Sequence, residues 1–177
     1  AWTYANLAGR VNRIAAALTG QCGLRPGGRV LLRAPNTPMM VAAYLAVIKA
    51  GGIAVATMPL LRARELAYII DLLALIAAES GAFAPYPSRA DDVCLIAFTS
   101  GTTGQPKGTM HFHRDMLAIC DTYGAQVLQA RPDDVFIGTA PLAFTFGLGA
   151  VVLFPLRIGA SAVATAQAVG YTGAGTV

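Results

Sequence analysis

Between residues 29 and 56 the chain passes from strand-like to helix-like and back to strand-like sequence, which limits its possible folds more than any other feature. Val30, Leu31 and Leu32 suit a short strand within residues 29–33. Thr37 can then cap a helix with Pro38 in its first turn, and residues 39–50 are mostly apolar until Gly51-Gly52 ends them. A helix that is apolar on nearly every side is a buried one. Residues 53–56 supply the next strand. The result is a β-α-β unit, which implies an α/β fold, a parallel sheet and a right-handed crossover.

Ahead of this unit, Thr3 can cap a first helix whose Leu7, Val11, Ile14 and Leu18 share one face, and residues 20–28 form the turn after it. Beyond the unit, residues 62–70 read as a helix, 72–78 and 93–98 as strands, 114–128 as a helix and 135–139 as a strand. The helix over 114–128 sets Met116, Ile119, Cys120, Tyr123 and Val127 on one face, with Cys120 and Tyr123 expected in the core. The uncharged run 135–156 is long enough to cross a bilayer. Gly138, Pro141, Gly147, Gly149 and Pro155 interrupt it, however, so it reads as a buried strand, a turn and a helix.

Thr99-Ser100-Gly101-Thr102-Thr103-Gly104-Gln105-Pro106-Lys107-Gly108 gathers backbone freedom, hydroxyls and a positive charge in one place. Its glycines let successive amides turn toward a common point, Thr99, Ser100, Thr102 and Thr103 add short donors, and Lys107 adds the charge. Amides arranged in this way form an anion-binding concavity that suits the oxygens of a nucleoside polyphosphate. The Walker pattern G-x-x-x-x-G-K-[ST] fails here. Pro106 stands where its second glycine would be, and Gly108 follows the lysine in place of Ser or Thr. Pro106 biases Gln105 toward an extended backbone, and residues 109–113 alternate like a strand, which predicts strand, loop, strand.

The run from Thr99 to Gly108 resembles, at every defined position, the signature T-S-G-T-T-G-x-P-K-G of the adenylate-forming superfamily of acyl-CoA synthetases, aryl-CoA ligases, adenylation domains and luciferases. Residues 24–30, Pro35-Asn36 and residues 45–52 are similar to the N-terminal part of the same superfamily. Pro141-Leu142-Ala143-Phe144-Thr145-Phe146-Gly147 resembles its P-L-F-H-x-x-G motif, with Phe144 where many members carry His, a version most like benzoate-CoA and 2-aminobenzoate-CoA ligases. From the residues alone, that stretch reads equally well as an apolar loop leading into a buried helix.

The resemblance implies an α/β large N-terminal domain and an acid:CoA ligase using ATP, Mg²⁺ and coenzyme A on a small carboxylic acid, aromatic by analogy. It implies that Thr99, Ser100, Gly101, Thr102, Thr103, Gly104 and Lys107 hold the ATP phosphates, and that Phe144, Phe146 and Gly147 border the acyl pocket. It covers residues 1–78 and 93–164. Residues 79–92 replace a far longer family connection and read as shortened or incomplete, and residues 165–177 are an unmatched tail. The adenine, ribose and hinge motifs and the C-terminal lysine domain are absent, so residues 1–177 alone are expected to be inactive. Alternatives are a silent nucleotide-binding remnant, a fatty-acyl-CoA synthetase or a peptide-synthetase adenylation domain.

Hydrophobic residues make up 55% of the 177 and charged ones 12%, yet no signal-peptide pattern opens the chain. Cys22, Cys94 and Cys120 have no C-x-x-C spacing, which argues for a reducing, cytoplasmic setting and against a zinc site or a disulfide frame. The net charge of +4 comes from scattered arginines rather than a basic block, so nucleic acid is not an expected partner. His111 and His113 fall on one side of an extended segment, but nothing joins them to make a metal site, and His113 reads as structural at a helix start. Asp91-Asp92 and Asp133-Asp134 read as solvated turn residues.

Overall fold

The computed structural model describes residues 1–56, 82–99 and 107–164. The helix and strand expected at 62–70 and 72–78, most of the glycine-rich loop and the tail lie outside these residues. Helix α1 (Tyr4–Gly20) begins at the expected cap: Thr3 Oγ1 accepts from the Asn6 amide at 3.2 Å, and Asn6 Oδ1 accepts from the Thr3 amide at 3.3 Å. The reciprocal pair is a capping box with Asn in the place of Glu. Strand β1 (Arg29–Leu32) and helix α2 (Pro38–Lys49) follow, with Thr37 Oγ1 accepting from the Met40 amide at 3.2 Å. Gly51 leaves α2 at φ +76°, the left-handed conformation that ends a helix at low cost when no Cβ is present.

Strand β2 (Ile53–Ala56) pairs in parallel with β1, β3 (Val93–Thr99) pairs in parallel with β2, and β4 (Lys107–Phe112) adds antiparallel to β3. The α/β class and the parallel pairing are as the sequence implied. Thr99 and Lys107 are partners at the end of the β3–β4 ladder, so the chain leaves and re-enters the sheet at one point. One side of this sheet meets α2. There Leu32, Ala54, Ala56 and Leu95 join Met40, Tyr44 and Val47 in the main core. The opposite face of α2 packs Ala42, Ala46 and Ala50 against Val11, Ile14 and Ala15 of α1, where small side chains let the helices approach closely. Burial on both faces is why α2 needs no polar stripe, and each large side chain sealed there contributes about 1.5–3 kcal/mol. On the other side of the sheet, Leu31, Val55, Ile96 and Met110 are successive register partners across all four strands, and Leu31 and Met110 stay 64% and 63% exposed.

After β4 the chain turns into helix α3 (His113–Ile119), then into a π-helical segment, Cys120–Val127. The predicted single α-helix is corrected here. A π turn holds more residues than an α turn, so positions spaced for one α-helical face rotate apart. Cys120 is buried as expected, but Tyr123 is 47% exposed, with Ile119 and Val127 also at the surface, while Gly124 becomes buried against the Phe154 ring. Strand β5 (Val135–Gly138) pairs in parallel with β6 (Ser161–Ala164). Val135 and Ile137 are exposed, which corrects the expectation of a buried strand.

Between these strands, helix α4 (Thr145–Leu148), a second π segment (Gly149–Leu153) and helix α5 (Phe154–Ile158) run on without a break. Gly147, Gly149 and Pro155 therefore sit inside a helical run instead of interrupting it. The π segment just ahead of Pro155 is a recognised way to absorb a missing backbone donor. No helix among the described residues is long and apolar enough to cross a membrane.

Candidate functional site

Lys107 opens β4 as an exposed residue. Thr99 closes β3, and the residues from Ser100 to Gly104 fall outside those described. The side chains of Lys107, Thr109 and His111 alternate onto one face of β4, the face that also carries Leu95 of β3. Thr109 Oγ1 donates to Ala97 O at 3.0 Å and lies 3.2 Å from His111 Nε2, which ties this row to β3.

On this face a cleft of about 390 Å³ opens between the sheet, α3 and α4. Leu95, Met116, Ile119, Leu148 and Leu153 make its apolar walls, and His111, Asp115, Thr122 and Thr145 give it polar points. Apolar walls with a few convergent polar groups are the usual make-up of a small-molecule site. His111 lies four residues beyond Lys107, about 13 Å along the strand at about 3.3 Å per residue. The end of the glycine-rich loop and the cleft thus occupy the same side of one sheet. Asp115 also accepts from the Phe112 amide at 2.9 Å and so caps α3, while the His113 amide donates to Asp92 O at 3.2 Å.

The cleft's far wall is set by a turn held at several points. Asn36, between β1 and α2, donates from Nδ2 to Ala140 O at 3.0 Å and accepts at Oδ1 from the Leu142 amide at 2.8 Å. Tyr44, buried within α2, donates its hydroxyl to Leu142 O at 2.9 Å. Burial pushes the Tyr44 phenol well above its ordinary range, so it stays a donor. The Phe144 amide donates to Pro141 O at 3.0 Å and the Leu148 amide to Phe144 O at 3.0 Å, which starts α4. Gly147 lies under this turn: a Cβ there would sit 2.7 Å from Ala140 O and closer still to Pro141 O.

Of the residues expected at the acyl pocket, Gly147 is buried as part of this turn, while Phe144 and Phe146 are 41% and 77% exposed. The turn curls into a helix, so the two rings bracket the cleft-lining Thr145 and do not themselves line the cleft. Asn36 and Tyr44 went unremarked as functional residues because their partners lie about a hundred positions away. The available signal was a lone amide held between Pro35 and Pro38 at a strand-to-helix junction.

The acidic pairs do turn work. Asp92 Oδ2 accepts from the Arg89 amide at 2.8 Å, and Asp134 Oδ2 accepts from the Arg131 amide at 2.8 Å, clasping the turns before β3 and β5 in the same manner. Asp91 pairs with Arg114 at the surface. Asp121 meets Arg157 at 2.8 Å, a hydrogen bond that holds its carboxyl below the usual range. No group of three or more His, Cys, Asp or Glu side chains among the described residues could hold a metal ion. A larger groove of about 640 Å³ lies between α1, α2 and β6. It is mostly apolar, and its Tyr4 hydroxyl is engaged, 2.5 Å from Ala160 O.

The sequence profile described as "AMP-binding enzyme" matches residues 1–75 and 73–172. The chain belongs to the AMP-binding enzyme family. The match extends to residue 172, into the stretch where the motif resemblance had faded. Benzoate–CoA ligase of Thauera aromatica is 32% identical over 94% of this chain and 39% of its own length. The structure of the anthranilate CoA ligase AuaEII in complex with anthranoyl-AMP superposes with a TM-score of 0.82 at 26% identity, over 92% of this chain and 38% of that one. ATP-bound MatB from Rhodopseudomonas palustris superposes with a TM-score of 0.82 at 27% identity, over 93% of this chain and 40% of that one. The chain therefore spans about two fifths of the length of these relatives.

Proposed function

We propose that the full-length protein is an ATP-dependent acid:CoA ligase that activates a small aromatic acid. The observation that carries this reading is the similarity to benzoate–CoA ligase along nearly the whole chain, joined to the shared sheet face of Lys107 and the cleft. The acid's carboxylate attacks the α-phosphorus of MgATP, pyrophosphate leaves, and the thiol of coenzyme A then displaces AMP from the acyl-adenylate. In this scheme Thr99, Ser100, Gly101, Thr102, Thr103, Gly104 and Lys107 hold the β- and γ-phosphates, and their contribution is positioning and charge neutralisation.

The cleft takes the ring of the acid, with Thr145 and Leu148 on one wall and Met116 and Thr122 on the other. Phe144 and Phe146 form its rim in this reading, with Gly147 buried behind them in the turn that carries them and the exposed rings available to a bound substrate. An aromatic partner gains about 0.5–1.5 kcal/mol from ring contact beyond its area burial. The two-part family match, with its join near residue 75, goes with a shortened or incomplete connection ahead of β3. A cytoplasmic location goes with the use of ATP and coenzyme A.

The deciding experiment is acid-dependent exchange of pyrophosphate into ATP by the full-length protein, with benzoate, 2-aminobenzoate, acetate and a long-chain fatty acid. The expected order places the two aryl acids first. A preference for acetate or the fatty acid would end the aryl reading, and no exchange with any acid would favour a silent nucleotide-binding protein.

A further inference from the structure

Asn36 belongs to the junction between β1 and α2, outside both the glycine-rich loop and the cleft, yet its amide holds the turn that leads into α4. Pro35 fixes its own φ, and Pro38 confines Thr37 to the extended region, where Thr37 is found at φ −133° and ψ 157°. The Asn36 side chain is thus presented from a stiff stretch of backbone. Only one orientation of its amide satisfies both contacts, because the reverse would set NH₂ against the Leu142 N–H and the oxygen against Ala140 O.

The carbonyl of Ala140 is the pivot. It accepts from Asn36 on one side and borders the Cα of Gly147 on the other, so its position fixes how closely α4 approaches the turn. Immediately after Gly147 come Leu148 and Gly149, which line the cleft together with Thr145.

We propose that Asn36 is a positioning residue for the acid-binding side of the site, acting through the Ala140–Leu142 turn on Thr145 and Leu148. This inference rests on the acid:CoA ligase reading above. It predicts an effect selective for the acid, since the hydrogen bonds described for the Asn36 side chain run to the Ala140–Leu142 turn, whereas Thr99 and Lys107 belong to β3 and β4.

The test combines two measurements on wild type, Asn36→Ala and Asn36→Asp. In the full-length protein, kcat/KM for the preferred acid should fall about 10- to 100-fold in Asn36→Ala, as for a small misplacement of substrate-positioning groups, with KM for ATP changing by less than about twofold. In hydrogen exchange, the Leu142 amide of Asn36→Ala should exchange about tenfold faster than in wild type. Asn36→Asp keeps the acceptor for Leu142 but turns a carboxylate toward Ala140 O, so it should protect the Leu142 amide and still lose acid kcat/KM. That variant decides the matter if the alanine variant does not fold. Equal losses toward acid and ATP, or unchanged exchange at Leu142 in Asn36→Ala, would overturn the inference. A wild type without acid-dependent exchange would instead overturn the ligase reading and with it the acid-binding role, while faster Leu142 exchange would still show the fastening itself to be real.

Discussion

Replacing Gly147 by alanine puts one methyl group into the tightest backbone contact of the site. The new Cβ would lie 2.7 Å from Ala140 O and nearer still to Pro141 O, distances that side-chain carbons do not sustain. Both obstacles are main-chain atoms, and Ala140 O is tied to Asn36, so relief requires the turn or α4 to move bodily. Overpacking of this kind costs about 1–3 kcal/mol. At about 2–4 °C per kcal/mol for a domain of this size, thermal unfolding should fall by about 6 °C. The control is Gly9→Ala, also inside a helix, where a Cβ would meet nothing within 4 Å. There the gain in helix propensity is about 0.5–1 kcal/mol, and the midpoint should rise by about 2 °C. Calorimetry or circular dichroism of the two variants beside wild type reads both signs. If Gly147→Ala unfolds at the wild-type temperature, the turn is not the rigid element described, and the argument for Asn36 weakens with it.

In the full-length protein, Lys107→Ala should slow adenylation roughly 10- to 150-fold, the loss of one charge-assisted bond worth about 1.5–3 kcal/mol, without a change in circular dichroism. An unaltered rate would take the lysine out of the phosphate site. Phe144→Ala should lower kcat/KM for benzoate several-fold more than for acetate, and an aryl preference untouched by the change would remove that ring from the pocket rim. Thiol labelling at pH 8 followed by mass spectrometry should modify exposed Cys22 quickly and buried Cys94 and Cys120 only on unfolding; rapid labelling of Cys94 would contradict its burial. Burial pushes the Cys94 thiol up to about 11 from 9.0, so the neutral form is favoured in the folded state and stability should decline as pH rises between those values. Cys94→Ala should flatten that decline, which urea titrations across the interval would show.

Local chemistry made much of this fold readable in advance. Caps at Thr3 and Thr37 and the stop at Gly51 act within a few residues of themselves, and each marks an element where the structure has one. The failures have another origin. The π turns at 120–127 and 149–153 leave no periodic trace, because the residues there still satisfy an α-helical pattern; in the structure both Gly124 and Gly149 lie against the Phe154 ring. Tyr123 lies at the surface of this wider turn. Val135 and Ile137 looked like core residues by type, but burial depends on what covers a strand. At the candidate site, Lys107 and Gly147 announced themselves by residue type. Asn36 and Tyr44 did not, because a hydrogen bond to a backbone atom about a hundred positions away is fixed by topology and leaves no mark on spacing.

The row formed by Leu31, Val55, Ile96 and Met110 gives the chain a practical temperament. Four strands at about 4.8 Å spacing make it a greasy band about 14 Å wide, with its two ends uncovered. Produced on its own, a molecule carrying such a band should bind a dye such as anilinonaphthalene sulfonate and be lost to clumping as its concentration is raised. Lysine at position 110 would interrupt the band at its rim, on a strand edge where a charge is readily solvated. Met110→Lys should therefore lower dye binding and raise the concentration at which the isolated chain stays dispersed.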